Sequence, residues 1–453
     1  MPSGLLLDLY QLTMAQTYLA EGMDGMATFS LFARNLPPNR GYLVAAGLED
    51  ALTYLENFRF TGEDLDFLDS TNLFTAPLLE RFDQLKFTGR VRALAEGTVC
   101  FADEPLLEVT APILEAQLVE TMLINEIQLQ TLIATKAARC VDAGAGRRLV
   151  DFALRRAHGG EAGMKVARAS FIGGFEATSN VRASQTYGIP AAGTMAHSFI
   201  EAFPDELSAF RAYARAYPDR AVLLVDTYDS IEGARNAGIV GRELAANGHQ
   251  LAGIRLDSGD FADLSRKVRM LLDEAGLSAT TVFASGGLDE YEIADLVAGG
   301  APIDGFGVGT RMGVSADAPH LDLAYKLVSY DGTPTMKLSE GKATWPGAKQ
   351  VWRHRTNGDA VRSIEDWIGL ADESAPEGAV PLLAEVMKNG ERTSPVEPLA
   401  ALQSRRKEEI AALPEACRRM RAPVPPVLRP TPALWELRRE IAAKLRPVVE
   451  AHR

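Results

Sequence analysis

The sequence predicts an α/β protein: an irregular (β/α) barrel with an α+β N-terminal domain and a C-terminal extension. Three observations predict it. From about Arg147, short apolar runs alternate with helical stretches, as in parallel βαβ units. The runs are continuously apolar rather than alternating, which suits strands covered on both faces. They recur seven or so times, at spacings of roughly 20 to 40 residues, approaching the eight units of a full barrel. A doubly wound open sheet is the alternative that the same pattern allows.

Taken in order, Leu5 to Glu21 carries apolar residues at helical spacing and stops at Gly22. The first half of MATFSLFARNLPPNRGYLVAAGL then alternates like a strand, Pro37-Pro38-Asn39-Arg40-Gly41 is a turn, and the second half could be strand or helix. Short strands are expected between Lys86 and Thr110, and a long helix from Leu114 to Cys140. These elements make up the N-terminal domain, 1–140. The barrel is expected over 141–330, its strands being RLVDFAL, IPAAGTMA, AVLLVDT, LAGIRLD, TTVFASG, IDGFGVG and LAYKLVSY. Residues 331–453 form a C-terminal region partly packed with the N-terminal domain. It holds strands and turns, the Pro-rich segment APVPPVLRPTP and a charged amphipathic last helix.

Composition narrows the function. Of 453 residues 47% are hydrophobic and 24% charged, which excludes a largely disordered or fibrous chain. Lys and Arg number 47 against 60 Asp and Glu, a net charge of −13, so general binding to nucleic acid or an anionic membrane is excluded. An anionic small molecule is still allowed if a few cations converge in one cleft. Cys100, Cys140 and Cys417 are far apart and form no CxxC, which suits reduced thiols in the cytoplasm. The first residues lack a basic leader, and no apolar run reaches the ~20 residues of a membrane span.

Active sites of such folds sit at the C-terminal ends of strands. Six runs end in functional-looking residues: Asp151, Phe152, Arg155 and Arg156; Thr194, His197 and Ser198; Asp226; Arg255, Asp257 and Asp260; Ser285, Gly286 and Gly287; Gly307, Gly309, Thr310 and Arg311. Each glycine cluster alone suits a tight turn. As consecutive junctions they favour backbone N–H groups closing on a phosphate. His197 suits a nucleophile or an acid/base, or else a hydrogen-bonded structural histidine, and Asp226 could fix its tautomer. Arg255 and Asp257 share a strand face, as an ion pair or around an anionic ligand. His158 is a weaker candidate. No metal-ligand spacing occurs, and the aspartates, Asp229 included, could at most assist Mg²⁺ brought by a phosphate ligand. GxSxG and the Walker motif are missing.

LDLYQLTMAQTYL, LPPNRGYLVAAGL, QTLIATKAAR, DFALRRAHG, FIGGFEATSN, GTMAHSF, LLVDTYDS, IRLDSGD, FASGGLDE, GFGVGTR, YKLV and KLSEGKATWPGAKQVWR occur in order over about residues 8 to 353. Together they resemble the nicotinate phosphoribosyltransferase family. Leu7 departs from the pattern, which has Thr before DLYQLTM.

The resemblance implies a barrel of the type II phosphoribosyltransferase kind in a homodimer with shared active sites. It implies transfer from phosphoribosyl pyrophosphate to nicotinate, giving nicotinate mononucleotide and pyrophosphate for NAD biosynthesis, coupled to ATP through phosphorylated His197. Asp226 would orient that histidine. Tyr10 of the partner subunit would stack on the pyridine ring opposite Phe152. Arg155, Thr194 and Arg255 would surround nicotinate and ribose, and Asp257 would face the ribosyl group. Ser285, Gly286, Gly287, Gly307, Gly309 and Thr310 would cradle the 5′-phosphate, with Lys326 and Arg40 nearby. ATP and Mg²⁺ are the implied cofactors. Nicotinamide-using relatives carry Asp where Ser179 stands, so Ser179 would favour a carboxylate over an amide. A quinolinate or nicotinamide enzyme, or a catalytically silent phosphate-binding barrel, are the competing readings.

Overall fold

Met1–Leu132 with His320–Arg453 form one unit, and Ile133–Pro319 the other. The computed structural model describes residues 4–338, 344–357 and 362–450, so part of the KLSEGKATW motif lies outside the described residues.

The first unit is built on a seven-stranded sheet. Its order is Thr333–Pro334, Leu323–Tyr330, Met26–Ala33, Pro105–Pro112, Arg90–Leu94, Leu383–Lys388 and Glu391–Arg392. Both chain ends thus contribute to one sheet. LAYKLVSY, expected as a barrel strand, belongs here and pairs antiparallel with Met26–Ala33. The physical reason is the connection. A parallel return is usually carried by a crossover helix that covers the sheet. Between Val308 and Leu323 the chain holds only the four-residue helix Thr310–Gly313. Phe29 stacks on Tyr325 across the new pair, with centroids 4.7 Å apart, over a core that includes Leu31, Val109 and Leu123. A four-stranded sheet around Lys349–Asn357 and Arg362–Leu370 carries its own small core of Val351, Ile368 and Leu434.

The second unit holds six parallel strands: β1 (Arg148–Asp151), β2 (Ala177–Thr178), β3 (Val222–Leu224), β4 (Gly253–Leu256), β5 (Thr281–Ser285) and β6 (Gly305–Val308). Their order is β2-β1-β6-β5-β4-β3, each joined to the next by parallel pairing. Val150, Leu224, Ile254, Val282, Ala284 and Phe306 are buried, as strands with a filled interior and a helical cover require. IPAAGTMA makes only a single bridge, Thr178 to Ala191, rather than a strand. Pro190 has no N–H to give a ladder, and the segment runs on through Gly193 without regular pairing.

The registers align the strand ends. Asp151 pairs with Thr178 and Val308, Ser285 with Gly307, Ala284 with Leu256, and Leu224 with Arg255. Phe152, Ser179, Asp226, Asp257, Gly286 and Gly309 therefore leave the sheet on one rim. Four helices that follow begin on side-chain caps from Asn180, Asp229, Asp260 and Asp289.

Candidate active site

A cavity of about 350 Å³ opens on this rim, lined by Phe152, Arg155, Ser179, Thr194, His197, Arg255 and Asp257. A smaller one of about 150 Å³ shares Phe152, Gly193 and Thr194 and runs among Val150, Val222 and Phe283 of the barrel interior.

His197 is the first residue of the helix His197–Glu201. Its Nε2 lies 3.3 Å from Asp226 Oδ1. The imidazole is 39% exposed and the carboxylate 1%, so a ligand can reach the ring while its partner stays shielded. The other Asp226 oxygen accepts from the Asp257 N–H at 3.1 Å and the Ser258 hydroxyl at 2.5 Å.

Arg255 donates to Thr194 Oγ1 at 2.5 Å, lies 3.9 Å from Asp257 Oδ1 and sits 6.0 Å from the Phe152 ring centre. Burial pushes its guanidinium below the ordinary value, while Asp257 and Asp226 act in the opposite direction. Its Nε is buried without a hydrogen-bond partner. A buried guanidinium with an unused donor suits an anion with two acceptor oxygens. Asp257 also accepts from Ser285 Oγ at 2.5 Å, which ties the ends of β4 and β5 together.

The two glycine junctions are neighbours because β5 pairs with β6. At Gly286, φ is +101° and a Cβ would fall 2.0 Å from the Asp257 carbonyl oxygen. Gly287 also has positive φ, with open space around it. Gly307 lies inside β6, where a Cβ would stand 2.6 Å from the Phe152 ring, so its missing side chain makes room for that ring. Thr310 is exposed next to Gly309.

Several expected residues do other work. Asp151 is buried, and its carboxylate accepts from the Ala153 N–H and the Thr178 hydroxyl at 2.8 and 2.7 Å. It shapes the turn that presents Phe152. Burial pushes this carboxyl up. Asp229 and Asp260 are spent as helix caps. Among the described residues no three His, Cys, Asp or Glu side chains cluster to hold a metal. Arg155 lines the cavity, whereas Arg156 and His158 are exposed.

Tyr10 and Lys326 belong to the first unit. Tyr10, on the helix Leu9–Ala20, is half exposed; burial, then hydrogen bonding and charge from Glu120, push its hydroxyl up. Burial pushes the Lys326 ammonium down, with Glu120 opposing. Arg40 is buried in the same unit. Glu120 and Ser258 were missed by sequence reasoning. Glu120 sits unmarked in a helical pattern, and Ser258 passed as part of the turn after Asp257.

A parallel barrel with two adjacent glycine junctions beside a ring-and-arginine pocket is the type II phosphoribosyltransferase fold. Three family models match in sequence: the nicotinate phosphoribosyltransferase N-terminal domain over residues 5–128, the nicotinate phosphoribosyltransferase family over 147–342, and the C-terminal domain over 376–438. The chain belongs to the nicotinate phosphoribosyltransferase family. It is 48% identical to nicotinate phosphoribosyltransferase pncB2 of Mycobacterium tuberculosis over 416 residues, covering 92% of this chain and 88% of that one. It is 46% identical to nicotinate phosphoribosyltransferase of Bacillus subtilis over 374 residues, covering 81% and 76%. The crystal structure of human nicotinic acid phosphoribosyltransferase superposes with TM-score 0.86 at 30% identity, covering 96% of this chain and 100% of that one. The C-terminal match lies where the motifs of the sequence ran out. No helix among the described residues is long and apolar enough to cross a membrane.

Proposed function

We propose that this protein is an ATP-coupled nicotinate phosphoribosyltransferase of NAD biosynthesis. It transfers the phosphoribosyl group of phosphoribosyl pyrophosphate to nicotinate and releases nicotinate mononucleotide and pyrophosphate. The observation that carries the reading is the meeting of two groups on one rim. They are the reachable His197 on its shielded Asp226, and the cavity bounded by Phe152, Arg255 and Asp257.

Nicotinate is a flat anion. The Phe152 face takes the ring, and Arg255 with Arg155 takes the carboxylate. Ser179 and Thr194 offer hydroxyls to the same ligand. The junctions at Ser285–Gly287 and Gly307–Thr310 hold the 5′-phosphate of the donor. As the bond from C1′ to pyrophosphate breaks and the bond to the pyridine nitrogen forms, positive charge develops on the ribosyl group. Asp257, held by Ser285 and the Arg255 side chain, stabilises that charge. Mg²⁺ carried with the diphosphate would supply charge neutralisation of the leaving group. Asp257, an oxygen ligand partly open to the cavity, is the residue that would hold it.

His197 takes the γ-phosphoryl group of ATP. A nitrogen–phosphorus bond forms as the phosphorus–oxygen bond to ADP breaks, and hydrolysis later returns the imidazole and phosphate. The phosphorylated ring adds negative charge beside the cavity and favours the donor-binding form of the site. The protein works as a homodimer in which Tyr10 of the partner subunit closes on the pyridine ring, a reading supported by the exposure of the Tyr10 ring. Three free, buried cysteines support a cytoplasmic location.

The test is product formation from labelled nicotinate with and without ATP, together with mapping of label from γ-labelled ATP. Product with ATP-dependent yield and label on His197 are expected. Label elsewhere, or none during turnover, overturns the coupling.

A further inference from the structure

Behind the two glycine junctions lies a buried ionic cluster that the proposed chemistry does not use. Lys136, on the helix Glu120–Gly144, is fully buried. Its Nζ lies 2.5 Å from Glu290, 2.7 Å from Asp317 and 3.8 Å from Asp289. One helical turn on, Arg139 Nε donates to the other Glu290 oxygen at 3.1 Å. Both cations lie near the Tyr291 ring, 5.6 and 5.9 Å from its centre. Arg311 completes the cluster, 3.5 Å from Asp289 and 2.5 Å from Glu292.

The sequence positions of the carboxylates give the cluster its meaning. Asp289 and Glu290 follow Gly286-Gly287 after the single residue Leu288, and Asp289 caps the helix Glu290–Ala298. Arg311 and Asp317 follow Gly309-Thr310. One ammonium thus ties the downstream end of the first junction to the downstream end of the second. Three cations, Lys136, Arg139 and Arg311, face four carboxylates, Asp289, Glu290, Glu292 and Asp317. The cluster cannot attract an anion by net charge. What it can do is fix geometry, since a buried ion pair tolerates few arrangements. Burial opposes the Lys136 charge, but Glu290 and Asp317 outweigh it and hold the ammonium above its ordinary value.

We propose that Lys136 is a positioning residue for donor binding, holding the Ser285–Gly287 and Gly307–Thr310 junctions at the spacing that the donor phosphate needs. This rests on the reading of those junctions as the phosphate site. Removing the ammonium frees both loop ends and also leaves four carboxylates facing two cations behind an anion site, so donor affinity falls twice over. Phe152, just after β1, and Arg255, on β4, carry the pyridine pocket and lie outside the cluster.

Three variants test this: Lys136→Met, Asp317→Asn and Gly287→Val. The readouts are KM for phosphoribosyl pyrophosphate, KM for nicotinate, and kcat. Lys136→Met is expected to raise KM for the donor by about ten- to a hundredfold, and nicotinate KM by less than about twofold. Asp317 is 30% exposed, so Asp317→Asn keeps the fold if Lys136→Met does not, and it should show the same selectivity at about three- to tenfold. Gly287→Val tests the phosphate reading itself. If it raises donor KM while folded Lys136→Met and Asp317→Asn do not, the positioning role is overturned and the phosphate reading stands. If Gly287→Val leaves donor KM unchanged, the phosphate reading falls and the positioning role with it. Equal rises in both KM values in the Lys136 and Asp317 variants also overturn the role, because general loosening would produce them.

Discussion

Asp226 divides its carboxylate between His197 and the next strand's loop: one oxygen lies 3.3 Å from the imidazole Nε2, and the other accepts from the Asp257 N–H and the Ser258 hydroxyl. The ring is therefore oriented by a group that is itself anchored to Asp257, the residue proposed to face the ribosyl group. With Nε2 donating to Asp226, the lone pair is on Nδ1. Phosphorylation is expected there, and ³¹P spectroscopy of the labelled, denatured protein distinguishes the two isomers. A phosphate on Nε2 would show that the ring turns before it reacts. Asp226→Asn should lower ATP-coupled turnover by about 10- to 100-fold, the worth of one hydrogen bond to a charged group, with little change in the melting temperature.

Gly286 and Asp257 define a second relationship. The glycine adopts φ +101°, and its Cα hydrogen faces the Asp257 carbonyl oxygen where a Cβ would fall 2.0 Å away. Gly286→Ala must shift either the junction or Asp257. It should cost about 1–3 kcal/mol of stability and weaken donor binding more than nicotinate binding. Thermal unfolding and the two KM values read this directly. A stable variant with unchanged donor KM would mean that the loop relaxes without moving Asp257.

Ser179 lines the cavity, its backbone N–H bonded to the Asp151 carbonyl at 2.8 Å. The hydroxyl can donate to a carboxylate, whereas a carboxylate there accepts from an amide NH₂ and repels nicotinate. Ser179→Asp should lower kcat/KM for nicotinate by at least about tenfold and raise it for nicotinamide. Competition between the two substrates measures the ratio. Unaltered nicotinate turnover with no gain on nicotinamide would remove Ser179 from the specificity argument.

What the sequence revealed and what it hid differ in physical kind. Asp226, Asp257 and Gly286 were legible because apolar strands end at them, and parallel registers bring such ends to one rim. His197 was legible as a polar break after Gly193-Thr194, although the segment before it makes one bridge instead of a strand. LAYKLVSY was misplaced because a buried apolar run does not state whether its partner is parallel or antiparallel; the missing crossover helix decides that. Lys136 was hidden for another reason. On a long helical pattern of Leu, Ile, Gln and Ala a single lysine carries no signal of its own, and only the fold brings Glu290 and Asp317 to it.

Glu104 gives a pH prediction in the first unit. It is buried beside the ion pairs of Arg353 with Asp366 and Glu409, and its carboxylate accepts from the Phe101 N–H at 2.9 Å. Burial and then the Asp366 charge push its carboxyl well above the ordinary value of 4.5, with Arg353 opposing. A carboxyl raised in the folded state stays protonated where the unfolded chain has already released its proton. Folding therefore binds a proton above the ordinary value, and stability falls as pH climbs from there toward the raised value, by up to about 1.4 kcal/mol per pH unit. Glu104→Gln keeps an oxygen for the Phe101 N–H, donates toward Asp366 and has no proton to lose. Relative to the native protein it should gain in unfolding midpoint between pH 5 and pH 8. The same difference at both values would mean that Glu104 is ionised in the fold and paired with Arg353 instead.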